Sequence, residues 1–100
     1  MEISFRTSRL QRQYEHSREA VKAYGPQVGR RYVQRIGIIK QARDIEELVK
    51  LPGLRCHQLK GDRAGEWAID LTGFDRLIFT LHGDRLEIVR IEEVSKHYGD

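Results

Sequence analysis

The sequence predicts an α+β domain in two layers, an N-terminal strand and a helical hairpin packed on one face of a small antiparallel sheet. Two observations carry this. From Leu10 to residue 50 the apolar side chains recur every three to four positions, as on one face of a helix, and after Pro52 they alternate, as on one face of a strand. The period switches once, so the main run of strands follows the helices, and such a chain packs its helices on one face of its sheet. One hundred residues make a single domain, 1–100, with enough surface to bury one modest core.

Met1, Ile3 and Phe5 alternate with Glu2 and Ser4, which gives a short half-buried strand at the start. Thr7 or Ser8 then N-caps a helix that carries Leu10, Tyr14, Ser17 and Val21 on one side and ends at Gly25-Pro26. Pro26 suits the first turn of a second helix, because its missing N–H costs nothing there. Val28, Tyr32, Ile36, Ile39 and Ala42 form the apolar stripe of that helix, with Arg30, Arg31, Gln34, Arg35 and Lys40 on the opposite side. Asp44 caps a short helical segment from Ile45 to Lys50, and Leu51-Pro52-Gly53 forces a turn. Four strands are expected next, Arg55 to Leu59, Glu66 to Leu71, Arg76 to Leu81 and Leu86 to Val94. The turn signals between them, Lys60-Gly61-Asp62-Arg63, Thr72-Gly73 and His82-Gly83-Asp84, make this an antiparallel meander. The sheet face away from the helices is then solvated or functional.

Composition narrows the function. With 39% hydrophobic and 33% charged residues the chain is expected to fold by itself as a soluble domain. Its longest apolar runs, such as Leu77-Ile78-Phe79, fall far short of the roughly 20 residues of a membrane span. Residues 1–6 lack the pattern of a secretory signal, so no membrane association and a cytoplasmic location are expected. The single Cys56 forms no internal disulfide, and His16, His57, His82 and His97 are too scattered for a metal motif, so no metal and no cofactor are expected. Charge is uneven. Residues 1–43 hold ten basic and three acidic side chains, residues 44–100 eight basic and twelve acidic. A basic front half suits a polyanion or an acidic protein, or else is a solvated helix surface.

The segment from Leu54 to Trp67 is where the sequence becomes specific. Pro52-Gly53, His57, Leu59-Lys60-Gly61-Asp62-Arg63, Gly65 and Trp67 stand in the order found in the killer-protein (HigB-type) branch of the RelE/ParE toxin superfamily. Arg76 before an apolar strand with Phe79, and the closing Lys96-His97-Tyr98, are also similar to that family. The resemblance spans the whole chain in order of elements, with its specific motifs between residues 52 and 98. It implies a RelE/ParE-like fold, a toxin that cuts messenger RNA on the ribosome, and a cognate antitoxin, helix-turn-helix and HigA-like, that silences it. DNA would be bound only through the antitoxin complex.

Cutting RNA by attack of a 2′-hydroxyl on its own phosphate needs a base for that hydroxyl, charge neutralisation in the transition state and a proton for the departing 5′-oxygen. Lys60, in a glycine-containing turn, is expected to reach a phosphate as a point charge or to serve as base. His97 is the expected proton donor, since a side chain titrating near neutrality both gives and takes protons. Arg76 is the expected phosphate fork on the open sheet face, the plainer reading being a cross-strand ion pair with Asp70 or Glu87. RNA contacts are expected at Arg63, Arg90, Lys96, Tyr98 and His57, with Arg63 equally at home as an exposed turn residue and His57 as a structural one. Ser95-Lys96 stand before His97 where the family has Asp-Tyr, so Glu93 is the candidate carboxylate partner and Tyr98 a base-stacking ring. Trp67 and Cys56 read as core residues. Two other functions share this fold, a ParE-like inhibitor that binds DNA gyrase and an inactive relative that only binds an antitoxin.

Overall fold

The computed structural model describes residues 1–96. The elements are β1 (Glu2–Phe5), α1 (Ser8–Glu15), α2 (Ser17–Tyr24), α3 (Pro26–Gln41), α4 (Ile45–Lys50), β2 (His57–Gln58), β3 (Glu66–Asp70), β4 (Asp75–His82) and β5 (Ile88–Lys96), with one turn of 3₁₀ helix over Gly61–Arg63. The sheet order is β1-β5-β4-β3-β2. From β2 to β5 every pairing is antiparallel, the expected meander. β1 departs from the expectation, because it runs parallel to β5, with Glu2 opposite Ile88 and Phe5 opposite Ile91, and so the sheet is mixed. Alternation reveals a strand but not its direction. At the start of β1 the Met1 nitrogen donates to the carbonyls of Lys40 (3.0 Å) and Ala42 (2.7 Å) and ties the strand to the end of α3. These carbonyls lie at the negative end of the α3 dipole.

The first expected helix is two. His16 has extended dihedrals (φ −130°, ψ 96°) and separates α1 from α2. Thr7 is the cap of α1, its Oγ1 accepting from Leu10 N at 3.1 Å. Because of the break, the buried stripe runs through Leu10, Gln13 and Ala20, while Ser17 is exposed. Gln13 is satisfied inside by the Tyr24 hydroxyl, which donates to its Oε1 at 2.6 Å. The break also lets α2 lie flat on α3, where Gly29 permits contact so close that a Cβ there would stand 2.6 Å from Val21 Cα.

Tyr32, Ile36 and Ile39 of α3, with Leu48 of α4, face Ile69, Leu71, Leu77, Phe79, Val89 and Ile91 of the sheet, and all ten are buried. Tyr32 ties α3 to α1 by donating its hydroxyl hydrogen to Leu10 O at 2.7 Å. Trp67 stacks on Phe79 with ring centroids 6.5 Å apart, half-buried at the margin of this core. Two arginines expected on the solvated side of α3 turn down onto the sheet instead, where Arg31 donates to Leu71 O (2.8 Å) and Arg35 to Asp70 O (3.2 Å). β2 is shorter than expected because Arg55, at φ +49°, is left-handed and interrupts the extended backbone. Among the described residues no helix is long and apolar enough to cross a membrane.

Candidate functional site

Helices cover one sheet face. On the other, alternation along β4 exposes Arg76, Thr80 and His82 around a buried Ile78, and along β3 it sets Glu66 and Asp70 around a buried Ala68. β5 adds Arg90 and two acids. Ile78 faces Glu93 while Phe79 faces Ile91, so Glu92 is an extra residue in a β-bulge. As a result both carboxylates reach the open face, Glu92 to Thr80 (2.7 Å) and Glu93 to Arg63 (3.1 Å).

The turn after β2 is fixed from this face. Arg63 Nε donates to Glu66 Oε1 at 2.6 Å and its Nη2 to Glu93 Oε2 at 3.1 Å, so one guanidinium joins the turn to β3 and β5. The hydrogen bond to Glu66, ahead of the charges of Glu66 and Glu93, raises the pKa of Arg63. Glu93, the carboxylate expected beside His97, is thus engaged by Arg63. Lys60 caps the same turn from an exposed position, and its ammonium has no acidic partner among the described residues.

Arg76 sits between Asp70 of β3 and Ser95 of β5 in the register. The ion pair with Asp70 is not made, since that carboxylate goes to Arg55 at 3.4 Å. Arg76 Nε is enclosed and lacks a hydrogen-bond partner among the described residues. Arg90 lies 3.6 Å from Glu92, not against Glu87, whose carboxylate accepts from Arg85 N at 2.9 Å. Lys96 Nζ is 3.7 Å from Asp75 Oδ1. His57, opposite Ala68, places Nδ1 2.7 Å from Arg55 O, so that nitrogen carries the hydrogen and Nε2 is left as acceptor. His97 and Tyr98 lie outside the described residues.

The sequence leads one to expect Lys60 and Arg76 at one phosphate, and the fold keeps them apart. Leu59 N donates to Glu66 O, so Lys60 stands at the Glu66 end of β3, whereas Arg76 faces Asp70 at the other end. Those ends are roughly 14 Å apart along the strand. At the Lys60 end of the sheet are Arg63, Glu66, Thr80, His82, Arg90 and Glu92; beside Arg76 are Asp70 and Arg55, while Asp75 and Lys96 pair at the same end on the opposite face. The sequence reading passed over Thr80 and His82. Their signal was the polar alternation Arg76, Thr80, His82 along an otherwise apolar strand.

No protein-family model matches the sequence, and no curated protein matches it. Solved structures do resemble the fold. A YoeB/ParE toxin from Agrobacterium tumefaciens superposes with a TM-score of 0.61 at 20% identity, covering 98% of this chain and 100% of that one. The YoeB-YefM complex from Staphylococcus aureus gives 0.62 at 14% identity, with 98% of each chain covered. YafQ from E. coli gives 0.60 at 12% identity, again with 98% of each chain covered. Across nearly their full lengths, then, this chain has the α+β fold of the YoeB and YafQ structures, with helices packed on a five-stranded mixed sheet.

Proposed function

We propose that this chain is the toxin of a type II toxin-antitoxin pair, an endoribonuclease of the HigB type that cuts messenger RNA on the ribosome. One observation carries the reading. Of the five lysines and arginines assigned to the site from sequence, Arg63, Arg90 and Lys96 are neutralised by Glu66 and Glu93, Glu92, and Asp75. Lys60 and Arg76, the two to which catalysis was assigned, have no acidic partner among the described residues. Cations left unpaired on a face of paired charges suit phosphate oxygens. With the two at opposite ends of the face, each takes a different part of an RNA strand. Lys60 neutralises the reacting phosphate, Arg76 grips the RNA backbone, and His97 is the proton donor. Arg63, Arg90, Lys96, His57 and Tyr98 complete the RNA contacts. The likeness to YoeB in its complex with YefM supports an antitoxin as partner. In this reading the antitoxin carries a helix-turn-helix, and both proteins act in the cytoplasm.

The test is induction of the chain in a bacterium, with growth followed and the 5′ ends of cellular messages mapped. Growth arrest with new 5′ ends inside translated messages is expected. Purified protein should leave naked RNA nearly uncut and cleave message loaded on ribosomes. Arrest with intact messages and altered plasmid supercoiling would replace this reading with that of a gyrase inhibitor.

A further inference from the structure

One titratable cluster on the open face is not used above. His82 Nε2 lies 2.7 Å from Thr80 Oγ1, which lies 2.7 Å from Glu92 Oε2. Thr80 and His82 are two residues apart on β4 and so share a face. Glu92 reaches them because the bulge in β5 turns it toward that face, and only 13% of its side chain is exposed.

Hydrogen counting fixes the direction of the chain of bonds. A carboxylate only accepts, so the single proton of the Thr80 hydroxyl goes to Glu92. The hydroxyl must then accept from His82, and Nε2 carries a hydrogen. In the neutral ring this leaves the lone pair on Nδ1, which has no partner among the described residues and belongs to an exposed side chain. A ring held in one tautomer by a hydroxyl that is itself bonded to a carboxylate presents a fixed lone pair, as a general base requires.

Its position is equally specific. Thr80 faces Glu66, and Leu59 N donates to Glu66 O, so the backbones of His82 and Lys60 lie at one end of the sheet. Two strand spacings separate them, about 10 Å between backbones. A lysine side chain and a phosphate fill that gap. Resting on the ribonuclease reading above, we infer that His82 is the base that takes the 2′-hydroxyl proton of an RNA strand whose phosphate Lys60 neutralises, with Thr80 and Glu92 as positioning residues. In the step, Nδ1 accepts the proton, the 2′-oxygen bonds to phosphorus and the P–O5′ bond breaks with its electron pair on O5′. The 5′-oxygen takes its proton from the acid of the ribonuclease reading, and water carries the proton held by His82 back to that acid. The products are a 2′,3′-cyclic phosphate and a free 5′-hydroxyl. The charged groups that face His82 are Glu92 and Arg90 of β5, Glu66 of β3, Asp84, Arg85 and Glu87 of the following loop, and, across β5, Glu2 of β1.

Two measurements on the full chain test this. Long-range ¹H–¹⁵N spectra of the labelled protein should show neutral His82 as the Nε2–H tautomer alone, and Thr80→Val should turn it into a mixture. A mixture in the parent overturns the relay. In single-turnover cleavage of ribosome-bound message, His82→Gln should be slower by roughly 10²- to 10⁴-fold with ribosome binding unchanged. Thr80→Val and Glu92→Leu, which break the relay, should slow the same step by less than His82→Gln does and release the tautomer. Lys60→Ala should slow the step with the His82 tautomer unchanged. Cleavage by His82→Gln at the parental rate overturns the inference and leaves the ribonuclease reading standing. A parent that cuts nothing overturns that reading and the base role with it, and the tautomer then decides whether the relay exists.

Discussion

Asp70 and Arg76 stand opposite each other on β3 and β4 and yet form no ion pair, because Asp70 turns to Arg55 and Arg76 Nε is left enclosed without an acceptor among the described residues. An enclosed donor without a partner costs about 1–3 kcal/mol. Arg76→Met, which keeps the aliphatic stem and removes the donors, should therefore give a urea midpoint equal to the parent's or higher, while growth arrest is lost. A clearly lower midpoint would show that Arg76 is a structural residue.

Lys60 makes the complementary case. It is exposed and lacks an acidic partner among the described residues, so truncation removes nothing that holds the fold. Lys60→Ala should keep the parental unfolding curve within about 0.5 kcal/mol and abolish growth arrest. An arrest as strong as the parent's would remove Lys60 from the reaction.

These two residues were legible because a short motif and a strand start mark them. Their separation was not, since periodicity says nothing about how far apart the ends of a sheet face lie. The α3 stripe through Tyr32, Ile36 and Ile39 was read correctly, as was the Asp44 cap, whose Oδ1 accepts from Glu47 N at 2.9 Å. The break at His16 has no proline or glycine to announce it, and Ser17 continued the apparent spacing. The relay from His82 to Glu92 was hidden for a different reason. Its members lie on two strands, and one is turned into place by a bulge that alternation cannot foresee.

Alkali should weaken the fold through a buried thiol of the core. Burial pushes the Cys56 thiol from 9.0 up to about 12. Between those values the unfolded chain holds fewer protons than the folded one, so stability present below pH 9.0 declines as pH rises toward about 12. Burial also raises the Tyr32 phenol, which acts in the same direction. Cys56→Ala has no thiolate to form, and its urea midpoint should fall less than the parent's between about pH 7 and about pH 11. Equal declines in the two proteins would show that Cys56 does not carry the effect.

The same substitution at two glycines of α3 should act with opposite sign. At Gly29 an added Cβ would stand 2.6 Å from both Val21 Cα and Val21 N and 2.7 Å from the carbonyl carbon of Ala20. All three are backbone atoms, so no rotamer change relieves the clash and α2 has to move off α3. Forcing extra atoms into a packed contact costs about 1–3 kcal/mol, and Gly29→Ala should unfold at lower temperature by a corresponding amount. At Gly37 a Cβ meets nothing within 4 Å. There alanine only restricts the unfolded chain and improves helix propensity, which stabilises by about 0.4–1 kcal/mol. Thermal unfolding of both variants beside the parent decides the matter. A Gly29→Ala protein as stable as the parent would mean that the α2–α3 contact is looser than its geometry, and a destabilised Gly37→Ala would mean that position 37 is packed more closely than its geometry.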